Sequence, residues 1–167
     1  MTTTVQFAVR HMGIATVRGV FNRFSGALEI AEDPAASRAW GTVEADSLDT
    51  NEDQRDAHLR SADFFDVENH PQIEFTSTRI QALVDGSLEV VGELTLHGVT
   101  RELALSARFL GTDTDPWGNE RIGLEASGEL SRADYGMRFN QALGSGNVLV
   151  GDRVKLTVAV SAVRRSD

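Results

Sequence analysis

Over most of this chain apolar and polar residues alternate one for one, a period that belongs to strands with one dry face and one wet face. Phe7, Val9 and His11 stand against Gln6, Ala8 and Arg10. Val17, Gly19 and Phe21 follow in the segment Ile14–Arg23, and Val43 and Ala45 in Trp40–Ser47. Ile73–Val84 continues the pattern, then Leu88, Val90, Gly92, Leu94 and Leu96, then Leu103, Leu105, Ala107 and Phe109. Ile122 through Leu130 and Val154 through Ala162 complete it. Short turns separate the segments: Glu32-Asp33-Pro34, the hairpin pair Asp85-Gly86, His97-Gly98 and Asp113–Gly118. Ser25-Gly26 permits a kink, so the second strand and the stretch through Leu28 and Ile30 read as halves of one bent strand. The count is about eight strands, and a sheet of that size with one apolar face most simply closes on itself, which removes its edges. The expected fold is all-β, an eight-stranded antiparallel barrel, whose interior is either filled by side chains or holds one small ligand.

One stretch breaks the rhythm. Ser47–Thr78 contains a predicted short helical insert at about residues 50–66. Asp49 with Glu52, or Thr50 with Asp53, suits a capping box, and Asp56 with Arg60 suits an ion pair one turn apart. Ser61 opens a turn presenting Phe64 and Phe65, and Pro71 closes the insert. Two readings of the phenylalanine pair are compatible: a lid over a barrel mouth, or a staple fixing the insert to the barrel.

The length of 167 residues fits a single domain over 1–167. A net charge of −9 argues against general nucleic-acid binding, which needs a basic surface. The absence of cysteine excludes disulfides and thiol catalysis. The amino terminus enters a strand without a basic region and apolar run, and no apolar run reaches membrane-spanning length, so a cytoplasmic location and no membrane span are expected. The histidines at 11, 58, 70 and 97 are scattered without short ligand spacing, so no metal site is expected. No nucleophile elbow, His-Glu-x-x-His pair or phosphate loop occurs. Trp117 in the DPWG loop is expected to buttress that loop.

Phe7…Arg10-His11, Val17-Arg18-Gly19…Phe21, Arg55-Asp56-Ala57-His58-Leu59 and Asp63-Phe64-Phe65-Asp66 occur in that order. Pro71…Phe75, Gly92…Leu94-Thr95…His97-Gly98-Val99-Thr100, Pro116-Trp117-Gly118 and Arg132…Tyr135-Gly136 follow. Together these blocks resemble the YceI-like family over nearly the whole chain. The resemblance lapses ahead of Val5, where Met1–Thr4 stands in place of an Asp-Pro-Ala-His-Ser-like segment, which bears on the first strand and on closure at that end.

The resemblance implies a lipocalin-like barrel that binds polyisoprenoid or other long-chain amphipathic lipid, without catalysis and with no cofactor beyond such a lipid. It also implies a homodimer. The ligand-binding set expected on this basis is Phe7, Val9, His11, Val17, Phe21, Phe75, Leu94, Leu96, Leu105 and Phe109 along the bore, with Phe64 and Phe65 at its mouth. Arg55 and His58 are candidates for a head group such as a phosphate, or, with Asp56 and Arg60, for bracing the insert. Periodicity alone favours a packed core over a tunnel; the resemblance reverses that preference. Glycines 19, 92 and 128 are read as leaving width for a ligand, or as bulges or bends. Two rivals stand beside the polyprenyl phosphate or quinone carrier. One is an enzyme acting on a small hydrophobic substrate, with His11, Ser77 and Thr95 as its polar candidates. The other is a filled-barrel interaction module.

Overall fold

The computed structural model describes residues 3–11, 15–29, 31–139 and 150–163, with the side chain of His11 outside the description. The strands are β1 (Thr4–His11), β2 (Ala15–Phe21), β3 (Phe24–Glu29), β4 (Arg38–Glu44) and β5 (Leu48–Asp49). After helix α1 (Asp53–Arg60) come β6 (Gln72–Ala82), β7 (Leu88–Leu96), β8 (Val99–Thr114), β9 (Glu120–Ser131) and β10 (Val150–Val163). All pair antiparallel in one strongly curled sheet of order β3-β4-β6-β7-β8-β9-β10-β1-β2-β5. Ten segments reduce to the expected eight strands. β2 runs into β3 through a bend at Asn22-Arg23, and β4 into β5 through the 3-10 turn Ala45–Ser47. Asn22 donates to the Ser47 carbonyl and Glu44 donates to that of Arg23, which stitches the two bent strands together and joins the ends of the sheet. The bend falls at Asn22-Arg23, three residues before the Ser25-Gly26 kink that the sequence suggests. Closure at the amino-terminal edge is also made: Thr4 pairs with Ala159, and the Thr3 hydroxyl bonds Ser161.

Antiparallel order gives the barrel two different ends. One carries the tips of β6–β7, β8–β9 and β3–β4; the other carries α1 and the 3-10 turn Arg132–Tyr135. At the α1 end the core is dense. Phe7, Phe21 and Leu48 form one buried cluster, and Leu94, Leu96, Leu103, Leu130, Tyr135 and Met137 another, with Phe65, Ile73, Val154 and Leu156 packed against both. Dispersion and desolvation concentrate here, at about 25 cal/mol per Å² of apolar surface removed from water.

Two glycines explain the tightness. Gly19 lies opposite Phe7, and a methyl group there would sit 2.4 Å from the Phe7 ring. At Gly92 it would sit 2.5 Å from both the Phe75 ring and the Thr76 carbonyl oxygen. Gly128 is likewise covered by Leu105. The width expected at these three positions is therefore taken up by neighbouring side chains. Because the Thr76 oxygen belongs to the ladder and cannot move aside, Gly92→Ala is expected to cost about 1–3 kcal/mol, the range for overpacking a core. Its urea-unfolding midpoint measures this; a midpoint equal to wild type refutes it.

Turn chemistry follows the residues. His97 and Gly98, at φ of 55° and 74°, make the two-residue turn whose twist matches its strands. At the other hairpin Leu83 N–H bonds the Ser87 carbonyl, so three residues, Val84–Gly86, form the loop instead of the expected two. Trp117 is 80% exposed, so it does not buttress its loop. Asp115 does: its carboxylate accepts the Trp117 and Asn119 N–H groups and Arg121 Nε.

Candidate functional site

The helix is shorter than its predicted span and differently capped. Glu52 is the N-cap, accepting from Arg55 N–H at 2.7 Å, while Asp49 makes a turn with Asn51 N–H. Asp56 is buried and takes the Thr50 N–H at 2.9 Å together with the Thr50 hydroxyl. Arg60 turns away from it and donates to the Asp46 and Leu48 carbonyls. The expected Asp56–Arg60 ion pair is thus replaced by bonds to strand β5 and its approach, because a carboxylate and a guanidinium each satisfy backbone groups that the chain leaves unpaired there. Arg55 does the same, reaching the Thr50 hydroxyl at 2.8 Å and carbonyl at 2.7 Å. His58 lies 2.9 Å from Asp63, with its ring against Phe64 and Phe139.

The phenylalanines divide their work. Phe65 inserts beside Phe7 and Phe21, with ring centroids 6.2 and 5.7 Å away, and plugs this end of the barrel. Phe64, 5% exposed, packs on Phe139 and beneath the Arg132 guanidinium. Arg132 is itself buried and donates to four carbonyls, those of Gly151, Met137, Phe139 and Val150. Burial lowers its pKa, and the nearby Asp152 charge opposes that shift. Asp152 in turn is held below the usual carboxylate range by the Ser131 hydroxyl, with the Ala133 N–H and Arg132 adding to it. Burial raises the Tyr135 phenol. Arg132 has no apolar period to mark it, and only its place in a family block signalled it.

Away from the plug the interior changes character. Leu105 on β8, Leu124 and Ala126 on β9, and Val158 and Val160 on β10 have the inward parity of buried Leu103, Ala107 and Leu130, yet they are only half-buried. Ala107, Ala126 and Val158 stand side by side across three strands, so small side chains coincide at one level. Phe109, at the open end, is 56% exposed, and Leu83, Val84, Leu110 and Val163 are exposed around it. The expected bore residues fall into two groups. Phe7, Phe21, Leu94 and Leu96 are packed core, whereas Val9, Val17, Phe75, Leu105 and Phe109 retain accessible surface. Arg55, His58, Phe64 and Phe65 all sit at the plugged end, away from the accessible wall.

Among the described residues, the polar candidates for catalysis, Ser77 and Thr95, each bond a different partner. Ser77 accepts from Ala39 N–H, and Thr95 bonds Thr100 on the neighbouring strand. The side chain of His11 lies outside the described residues. Two of the four histidines, by contrast, do meet: the His70 and His97 rings lie 4.9 Å apart, their planes tilted by 58°, beside Asp66. The signal available in the sequence was the four-residue spacing of Asp66 and His70; the partner 27 positions on was not visible.

A curled antiparallel barrel, plugged at one end and lined with accessible apolar side chains towards the other, belongs to the lipocalin-like class. The chain is a member of the YceI-like family: that domain matches residues 1–162. It is 39% identical over 163 residues to the UPF0312 protein PC1_2518 of Pectobacterium carotovorum, covering 96% of this chain and 81% of that one. The fold is similar to BcnA of Burkholderia cenocepacia, with a TM-score of 0.80, 19% identity and 96% of each chain covered. A polyisoprenoid-binding domain from Saccharophagus degradans implicated in plant cell wall breakdown shares it too, with a TM-score of 0.67, 16% identity and coverage of 98% of this chain and 94% of that one. Among the described residues, no helix is long and apolar enough to cross a membrane.

Proposed function

We propose that this protein binds and carries a long-chain isoprenoid, such as a polyprenyl phosphate or an isoprenoid quinone, with its apolar tail along the half-buried wall of β8–β10. The observation that carries this reading is the retained accessibility of Leu105, Leu124, Ala126, Val158 and Val160 although they face inward. An isoprenoid tail needs only a dry, narrow, apolar slot, and burying its surface supplies affinity at about 25 cal/mol per Å². The tail enters from the end bearing Phe109, since Phe65 closes the other. The head group then stays at the open rim, not at Arg55 or His58, whose polar atoms already serve the insert. The polyisoprenoid-binding neighbour supports the ligand class.

Native mass spectrometry of freshly purified protein, followed by solvent extraction, tests the proposal. A stoichiometric isoprenoid adduct is expected. An apo mass that stays unchanged on incubation with polyprenyl phosphates and quinones overturns it.

A further inference from the structure

Asp66, His70 and His97 come from two turns at the plugged end of the barrel, and their ligand atoms all lie within 4.8 Å of one another. We propose that these three side chains bind a divalent transition metal of the zinc class, clamping the Phe64–Phe65 insert to the β7–β8 turn. Two imidazoles and one carboxylate suit zinc, cobalt or nickel better than magnesium or calcium, which prefer all-oxygen sets.

Two of the three donors, His97 and Asp66, are already oriented by hydrogen bonds. His97 Nδ1 lies 3.0 Å from the Tyr135 carbonyl. A carbonyl only accepts, so the ring proton sits on Nδ1 and Nε2 keeps its lone pair for a metal, the arrangement that fixes metal-binding histidines in general. Asn69 Nδ2 donates to both Asp66 oxygens, at 3.2 and 3.0 Å. His70 follows Asp66 by four residues in a closed turn, its N–H bonding the Asp66 carbonyl at 2.8 Å, and within this turn the two side chains bring their ligand atoms together. The His70 ring rests over Gly98, where a methyl group would come within 2.7 Å of Cε1; a larger residue there would displace the ring.

Bonds of about 2.0–2.1 Å to a tetrahedral ion set donors about 3.4 Å apart, so side-chain rotation brings this trio into place. All three residues are half-buried, which leaves the fourth position to water. Asp66 directly follows Phe65, so the metal would tie the plug to the strand pair carrying Leu94 and Leu96. A charge balance of two neutral imidazoles and one carboxylate leaves net positive charge on the bound ion. This keeps the open position attractive to water or an anion.

The test uses the full chain stripped with chelator, then titrated with Zn²⁺ by calorimetry and with Co²⁺ by visible absorption. One ion per chain, intensified cobalt bands of low coordination number and a raised melting temperature are expected. His70→Gln and Asp66→Asn should each weaken Zn²⁺ binding at least tenfold while leaving the metal-free circular dichroism unchanged. His97→Ala serves only as a third variant, because it also removes the bond to Tyr135. Absence of Zn²⁺ binding overturns the proposal, and so does binding that H70Q and D66N both leave intact. Lipid content is not read in this experiment, so its outcome is independent of the isoprenoid assignment.

Discussion

Arg132→Ala is expected to destabilise the protein by about 3 kcal/mol, the scale of breaking a buried network held by one charged donor. The guanidinium holds four carbonyl oxygens from the segment after the 3-10 turn and from the start of β10, at 2.9 to 3.2 Å. Hydrogen bonds from a charged group contribute about 1.5–3 kcal/mol each in favourable cases, but water entering the space that alanine leaves satisfies part of the loss. Alanine also withdraws the cation from the face of Phe64 and opens space beside it. Arg132→Lys retains charge yet lacks the planar fork, so it reaches fewer of the four acceptors and should recover less than half of the loss. Urea unfolding of the three proteins decides the matter. A midpoint for the alanine variant within error of wild type, with an unchanged slope, would show that the four bonds contribute nothing net.

Ala126→Trp is expected to abolish isoprenoid binding while the barrel stays folded. Ala107, Ala126 and Val158 coincide on adjacent strands, so an indole at the middle position projects inward at the level where small side chains meet. A tail that cannot pass this point loses contact with everything beyond it. The loss of buried apolar area corresponds to at least a tenfold drop in affinity, about 1.4 kcal/mol or more. The control is Ser127→Trp, one residue along β9, which by strand parity faces outward and should leave binding unchanged. Adduct fraction in native mass spectrometry compares the two. Equal lipid loading in A126W and wild type would place the ligand somewhere other than the β8–β10 wall.

Most of the barrel was legible in advance for a local reason. Side chains in a strand point alternately to two faces, so burial on one face prints a period of two that needs no knowledge of the partner strand. Turn chemistry is equally local, which is why His97-Gly98 and the Pro71 boundary fall where expected. The exact capping of α1 was less legible, because Asp49, Thr50 and Glu52 all suit a cap and only the arrival of Asp56 and Arg55 on Thr50 selects Glu52.

By itself the sequence determined the strand rhythm, the bent second strand, the helical interruption and the family. Register and stagger between strands were decided only in three dimensions, and they settle which inward residues become core and which line the accessible wall. Gly19, Gly92 and Gly128 lost their apparent width because cross-strand neighbours fill it. Arg132 became an anchor because four carbonyls converge on it, and His97 met Asp66 and His70 because the insert folds back onto the β7–β8 turn. Periodicity describes a residue's own face; a site is made by residues distant in the chain, and only the closed sheet sets those distances.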